Sequence, residues 1–133
     1  MWYVLAAALV LVTPACGSST SLGSFESYAY QFQLEGKIRN QDVDLGGLTI
    51  RFANLKPPHA ALCYADRVIE VDQDTWEHAT QTTREVILYH EFGHCLLLRR
   101  HRPNSIMQAS LLNPNKFQVA RAEYLDELFK EKD

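Results

Sequence analysis

The chain has 133 residues and a mass of 15.2 kDa, which is enough for one domain and too little for two domains with separate cores. Its 13 Lys and Arg against 16 Asp and Glu give a formal net charge of −3. No broad basic surface is therefore available for a nucleic-acid backbone, and we expect no nucleic-acid partner. A hydrophobic fraction of 47% and a charged fraction of 22% are typical of a globular domain and argue against a disordered chain or a membrane bundle.

The N-terminus has its own composition. The residues from Trp2 to Val12 carry no charge, and the run is too short to cross about 30 Å of hydrocarbon but long enough for a signal-peptide core. It ends in Thr13-Pro14-Ala15-Cys16, with small residues before the cysteine. The segment resembles the signal of a bacterial lipoprotein. The resemblance implies that residues 1–15 are a signal peptide, that Cys16 is lipidated and that the protein is exported to the cell envelope.

On this interpretation the protein sits at the outer membrane or the periplasmic face and contacts the membrane through its lipid anchor alone. Ordinary secretory cleavage and an uncleaved apolar helix are the alternatives. The Ser- and Gly-rich residues 16–24 predict a flexible tether, and residues 25–133 then form the domain.

The domain begins with a predicted helix, followed by a small predicted sheet. Apolar residues have helical spacing from Phe25 until Gly36 interrupts them. Three short runs after the helix predict strands, and the last two are joined closely enough to form a hairpin. These strands cover Leu48–Ala53, Ala60–Tyr64 and Val68–Val71. The segment 72–76 that follows is typical of a turn.

Two further helices are predicted. Thr82 and Glu85 have the spacing of a capping box, which makes Thr82 the N-cap of a helix. Its continuation from Val86 to Leu98 is apolar on every side except at three polar residues, so we expect a buried helix. An apolar stripe between Asn115 and Lys130 predicts one C-terminal helix. The elements together predict an α+β fold with a twisted mixed sheet.

The three polar residues of the buried helix have the H-E-x-x-H pattern, as His90-Glu91-Phe92-Gly93-His94. Histidines four apart in a helix differ by about 40° in azimuth and about 6 Å in rise, so His90 and His94 can reach one point. Zinc is bound by imidazole at about 2.0–2.1 Å. Glu91 can reach a water molecule on the metal without being a ligand, which makes it the predicted general base. A hydrogen-bonded polar core without metal is the alternative.

The chain continues to His101 and then to Ser105-Ile106-Met107. The stretch HEFGHCLLLRRH followed by SIM resembles the metzincin group of zinc metallopeptidases, in which a longer H-E-x-x-H-x-x-G-x-x-H motif precedes a Met-turn. It is similar above all to the small bacterial members that are secreted or lipid-anchored. The resemblance implies a minimal zincin-like fold, one zinc ion held by His90, His94 and His101, and Met107 in a turn beneath the metal.

Two positions depart from the metzincin motif. Leu97 stands where the motif has Gly, and His101 follows His94 by seven residues where the motif has six. Seven residues of uninterrupted helix would carry His101 about 10.5 Å along the axis, too far to share one ion. We therefore expect the helix to break between Leu97 and Arg100, with the extra residue absorbed in the bend.

Other ligands and pairings stay open. Glu123 on the last helix is a rival third ligand, as in gluzincins, and Cys63 is another, in the manner of peptide deformylases. If Cys16 is lipidated, Cys63 and Cys95 are the only cysteines left, so in an exported protein they are a candidate disulfide. Simple core packing is the alternative for Cys95.

The predicted function is zinc-dependent hydrolysis of peptide bonds by a monomeric endopeptidase. We expect a peptide or protein substrate to lie extended along an edge strand and to pair with it through main-chain hydrogen bonds. The alternative function is that of an exported zinc-binding lipoprotein, or of an inactive zincin that acts as a binding module.

Overall fold

The computed structural model describes residues 19–130. Helices and a small mixed sheet give the α+β fold expected from the sequence. A short 3-10 turn, Gly23–Phe25, precedes the helices. The helices are α1 (Glu26–Ile38), α2 (Gln73–His78), α3 (Gln81–Cys95), α4 (Pro114–Val119) and α5 (Arg121–Leu128). The strands are β1 (Thr49–Ala53), β2 (Ala61–Tyr64) and β3 (Val68–Asp72).

The three strands form a mixed sheet in the order β1-β3-β2. β1 and β3 run parallel, with Ile50 opposite Ile69, and β2 pairs with β3 in the antiparallel direction expected for a hairpin. The free side of β1 is covered by a bridge between Ser21 and Thr49. β2 is thus the edge strand of the described sheet, and the candidate site lies beside it.

α3 is buried, as the sequence predicts, and packs in an aromatic core with α1. The ring of Phe32 on α1 lies 5.0 Å from the rings of Tyr89 and Phe92 on α3, and 4.9 Å from the ring of Phe129. All four side chains are buried. Because α3 is apolar on nearly every side, it can contact the sheet on one side and α1 on another.

A cluster of charged side chains links three helices. The Glu35 carboxylate on α1 accepts hydrogen bonds from Arg39 at 2.7 Å and from Arg121 at 2.8 Å. Arg121 also contacts Glu85 of α3 at 2.6 Å. Burial alone would raise the pKa of Glu35, but the hydrogen bonds from the two arginines outweigh it and hold that pKa below its ordinary value. The cluster therefore favours the ionised carboxylate and ties α1 to α3 and α5.

The first described residues lie against the domain, where the sequence analysis expected a flexible tether. The Thr20 hydroxyl donates to the Leu45 carbonyl at 3.1 Å, and the Ser21 N–H donates to the Leu48 carbonyl at 2.9 Å. Leu22 is buried. Since both polar and apolar contacts hold this segment, residues 20–24 belong to the domain.

Two N-terminal predictions, the signal peptide over residues 1–15 and the lipidation of Cys16, lie outside the described residues. Within residues 19–130, no helix combines the length and the apolar character needed to cross a bilayer.

The structure corrects the predicted turn at residues 72–76. Asp72 is an N-cap, with its carboxylate accepting a hydrogen bond from the Thr75 N–H at 3.0 Å, and α2 begins at the next residue. The Asp72 carboxylate also accepts hydrogen bonds from the Thr75 hydroxyl and from the Leu55 N–H. Together these bonds lower the pKa of Asp72. The Asp and Thr that look like turn residues in the sequence therefore start a short helix.

Other helix boundaries also differ from the prediction, and α3 ends at Cys95 instead of continuing to Leu98. The N-cap of α3 is Thr80 and not Thr82, because the Thr80 hydroxyl accepts a hydrogen bond from the Thr83 N–H at 3.2 Å. Glu85, which a capping box at Thr82 would require, contacts an arginine of α5 instead. The single predicted C-terminal helix is two helices, since Ala120 leaves the helical region with φ −122° and ψ 35°.

Candidate metal centre

His90 and His94 project from α3 toward one point, as their spacing in the sequence predicts. Their Nε2 atoms are 3.1 Å apart, and their ring centroids are 4.7 Å apart. Both side chains are partly buried.

Backbone carbonyls orient both rings from the opposite edge. Nδ1 of His90 is 2.7 Å from the Ile106 carbonyl oxygen, and Nδ1 of His94 is 2.8 Å from the Arg99 carbonyl oxygen. A carbonyl can only accept, so each Nδ1 carries the proton and each Nε2 presents a lone pair. Burial lowers the pKa of His90 to about 4, and it lowers the pKa of His94 as well. The lone pairs of the two Nε2 atoms thus point toward each other at a distance of 3.1 Å. A cation bound between them would offset their mutual repulsion.

His101 joins these two residues through an irregular end of α3. The helix ends at Cys95, and the Leu97 N–H reaches back to the Phe92 carbonyl at 3.3 Å. Leu98 then takes a left-handed conformation with φ 54°, and the Arg99 N–H donates to the Gly93 carbonyl at 2.8 Å. The bend falls where the seven-residue spacing requires it, and the extra residue lies in this widened turn.

The three imidazoles form one group. The ring of His101 lies 5.3 Å from that of His90 and 4.9 Å from that of His94. In the described part of the chain, one ring nitrogen from each of the three lies within 4.8 Å of the others, close enough to hold a metal ion. Of the rival ligands, Glu123 is exposed on α5 and outside this group, and Cys63 is bonded to another cysteine.

Met107 lies in a tight turn beneath α3. The Met107 N–H donates to the Ser105 hydroxyl at 3.0 Å, and the Met107 carbonyl accepts from the Arg102 N–H at 2.9 Å. The Met107 side chain is fully buried. A Cβ atom added to Gly93 would overlap its Sδ atom, so only glycine allows the turn to approach the helix this closely. The Ile106 carbonyl that orients His90 belongs to the same turn.

Gly93 is a position that supports the site by close packing, which the H-E-x-x-H pattern alone does not predict. Glycine inside a helix costs about 0.5–1 kcal/mol of stability relative to alanine. A glycine within a predicted helix is therefore the feature of the sequence that indicates close packing of another segment.

Glu91 is 7% exposed and borders the same cleft as the histidines. Burial raises the pKa of its carboxyl group to about 7, although a hydrogen bond from the Cys63 backbone acts in the opposite direction. The carboxyl group is outside the group of potential metal ligands, as expected for a residue turned by about 100° from His90.

A disulfide joins the edge strand to α3, the helix that carries His90 and His94. Cys63 on β2 and Cys95 at the end of α3 are bonded, with a Cα–Cα distance of 5.8 Å. The Cys63 backbone contacts Glu91 and Cys95 follows His94, so the bond fixes β2 beside the site.

The histidines and Glu91 line a cleft of about 410 Å³ between α3, β2 and the loop 109–111. The Ala60 carbonyl accepts a hydrogen bond from the Asp72 N–H at 2.8 Å. Because alternate residues of an antiparallel strand bond to the neighbouring strand, this bond shows which residues of β2 bond to β3. In this antiparallel register the main-chain groups of Leu62 face β3, and those of Ala61 and Cys63 face away from the sheet. The cleft is thus bordered by main-chain groups that can pair with an extended chain.

Comparisons of the chain with family models, with curated proteins and with solved structures find no match.

Proposed function

We propose that this protein is a zinc-dependent peptidase. One observation carries the proposal: three imidazoles with converging nitrogens border a cleft that also contains a buried carboxyl group and lies along β2, an edge strand of the described sheet. The sequence resemblance to metzincins supports the same function, because it rests on the residues that form this cleft.

His90, His94 and His101 are the proposed ligands of one zinc ion. Three imidazoles that leave an open position are a ligand set of catalytic zinc sites. The 3.1 Å separation of Nε2 of His90 and Nε2 of His94 is close to the separation of about 3.3 Å expected for two ligands of a tetrahedral zinc ion. When bound, zinc polarises the substrate carbonyl and lowers the pKa of a water molecule to about 7.

Glu91 is the proposed general base. Its carboxylate takes a proton from the attacking water and passes it to the nitrogen of the leaving amine. Because the Cys63 backbone hydrogen-bonds the carboxylate, Glu91 is held at the cleft wall between the metal ligands and β2.

The proposed substrate is a peptide in extended conformation, paired with the outward-facing main-chain groups of Ala61 and with the Cys63 carbonyl, because the Cys63 N–H already donates to Glu91. Such pairing adds a strand to the sheet edge and places a peptide bond beside the histidines. We further propose an exported, lipid-anchored and monomeric enzyme. The disulfide supports export, because structural disulfides persist in oxidising compartments.

A zinc-binding lipoprotein without activity, or an inactive zincin used as a binding module, is the second candidate. A structural zinc site normally has four protein ligands, whereas the group in the described residues offers three. That open position favours catalysis.

The test uses the full chain loaded with zinc, with labelled casein as the substrate. Glu91→Gln is expected to keep the fold and the zinc while cleavage falls by at least about a hundredfold, as for loss of a general base. Glu123→Gln, the same change at an exposed glutamate, is the matched control and should leave cleavage unchanged.

Zinc titration tests the ligands separately. His101→Ala should lose stoichiometric zinc, and Glu123→Gln should retain it. Cleavage that survives in Glu91→Gln would refute the catalytic assignment, and zinc loss in Glu123→Gln instead of His101→Ala would move the third ligand to α5.

A further inference from the structure

The wall of the cleft offers very few polar side chains apart from the proposed ligands and Glu91. Two further residues with polar side chains border it, His59 and Ser110. The remaining lining residues, such as Pro58, Leu62, Ile87 and Leu111, are apolar or, in the case of Cys63, disulfide-bonded. A negative charge that develops on a substrate oxygen therefore has few side-chain donors within reach.

The backbone of His59 is held on both sides. Its N–H donates to the Lys56 carbonyl at 3.1 Å, which closes a turn containing Pro57 and Pro58, and proline fixes φ in such turns. On the other side, the Ala60 carbonyl is bonded to β3. Although the His59 side chain is exposed, its attachment point is therefore fixed at the start of the edge strand.

His59 is also separate from the metal group. The cluster of potential ligand atoms within 4.8 Å of one another contains three histidines of the described chain, and His59 is not among them. Its imidazole is thus not one of the potential metal ligands, although the residue borders the same cleft. A neutral imidazole has one N–H donor and an imidazolium has two, so the ring can donate in either state.

We infer that His59 is a further catalytic residue, whose imidazole N–H donates a hydrogen bond to the oxygen of the scissile carbonyl as that carbon becomes tetrahedral. The inference rests on the proposed peptidase function. No bond to His59 forms or breaks, because the hydrogen bond only stabilises the oxyanion. Ser110 is the competing donor, because its hydroxyl accepts a hydrogen bond from Nε2 of Gln108 at 3.5 Å and keeps its own proton to donate.

The experiment measures kcat and KM for a peptide taken from the casein cleavage products, and the affinity of a phosphinic pseudopeptide that mimics the tetrahedral state. His59→Phe keeps an aromatic ring and removes the donor, and His59→Gln restores a donor. His78→Phe, the same change at an exposed histidine of α2, is the matched control. Ser110→Ala tests the competing donor.

His59→Phe is expected to lower kcat by at least about tenfold with KM nearly unchanged, less than the full effect of a buried oxyanion donor because water can partly replace an exposed one. The phosphinic pseudopeptide should bind more weakly by a similar factor. His59→Gln should recover part of both losses, His78→Phe and Ser110→Ala should show neither, and zinc affinity should be the same in all four variants.

Unchanged kcat and unchanged phosphinic affinity in His59→Phe would overturn the inference, as would a rise in KM alone or a loss of zinc. If the wild-type protein cleaves no peptide, the peptidase proposal fails, but the phosphinic affinities still decide whether His59 contacts a tetrahedral anion. A wild-type protein that does not bind the phosphinic pseudopeptide overturns the role of His59 as well.

Discussion

Reduction of the disulfide between Cys63 and Cys95 should destabilise the domain strongly. The two cysteines are 32 residues apart in the sequence, and the loop that they close contains β3, α2 and most of α3. For a loop of this length, the loss of chain entropy in the unfolded state corresponds to about 3.7 kcal/mol at 25 °C. This is a large part of the roughly 5–15 kcal/mol that separates the folded from the unfolded state of a typical domain.

Equilibrium unfolding in urea, with and without reductant, measures this contribution. Trp76 is 7% exposed, so its fluorescence should report the loss of the core. With a slope of about 1.5 kcal/mol per molar urea, the midpoint should fall by about 2.5 M on reduction. The double variant Cys63→Ala, Cys95→Ala should unfold near the reduced midpoint and should not respond to reductant. A shift on reduction of less than about 0.5 M would refute the reasoning, because the loop-closure contribution would then be nearly absent.

Further substitutions probe three features: the turn after α3, the contact between α3 and Met107, and the charge cluster at Glu35. Leu98→Gly should raise stability by up to about 1 kcal/mol in thermal unfolding, because it relieves a left-handed leucine, whereas Leu97→Gly should lower it by about 2 kcal/mol because Leu97 packs on the core. Gly93→Ala should cost about 1–3 kcal/mol through overlap with Met107, and much less when combined with Met107→Ala. Glu35→Gln should cost about 2 kcal/mol at pH 7. Because the folded-state pKa of Glu35 is lowered, this difference should be complete above its unfolded pKa of about 4.3 and shrink in urea titrations as the pH falls further.

The parts of the site that the sequence predicts are those fixed by local geometry. His90 and His94 are four residues apart in one helix, so their convergence follows from the helical repeat alone. The bend before His101 could also be located, since an unbroken helix would carry that residue too far along the axis. The sequence also predicts the hairpin of β2 and β3, because only three residues connect the two short strands.

The parts that the sequence does not predict depend on contacts between distant segments. Thr80 and Thr82 are both followed by a suitable N–H donor, but Thr80 is the cap, and Glu85 contacts Arg121 of α5 instead of the helix start. The orientation of the histidine rings depends likewise on carbonyls of the turns that follow α3. In the sequence His59 has the pattern of an ordinary loop residue. Its position beside the cleft depends on how the sheet places the turn that contains it.

The widened turn at the end of α3 gives a direct test of how the seven-residue spacing is accommodated. The Arg99 N–H now reaches the Gly93 carbonyl six residues back, whereas a Schellman motif spans five and has glycine at its left-handed position. Deleting Leu98 and changing Leu97→Gly together should produce that shorter turn, which is also the metzincin spacing.

This double change should leave zinc affinity within about tenfold of wild type, a difference of less than about 1.4 kcal/mol. Deletion of Leu98 alone places Leu97 at the left-handed position, and that variant should be about 1–2 kcal/mol less stable in thermal unfolding than the double variant, which has glycine there. If the double variant folds but binds no zinc, the extra residue is a requirement of this site and not an insertion that the turn absorbs. The two variants thus separate two effects, the strain of a left-handed leucine and the distance of His101 from the other two histidines. Strain affects stability, whereas the distance of His101 controls whether all three imidazoles can hold one ion.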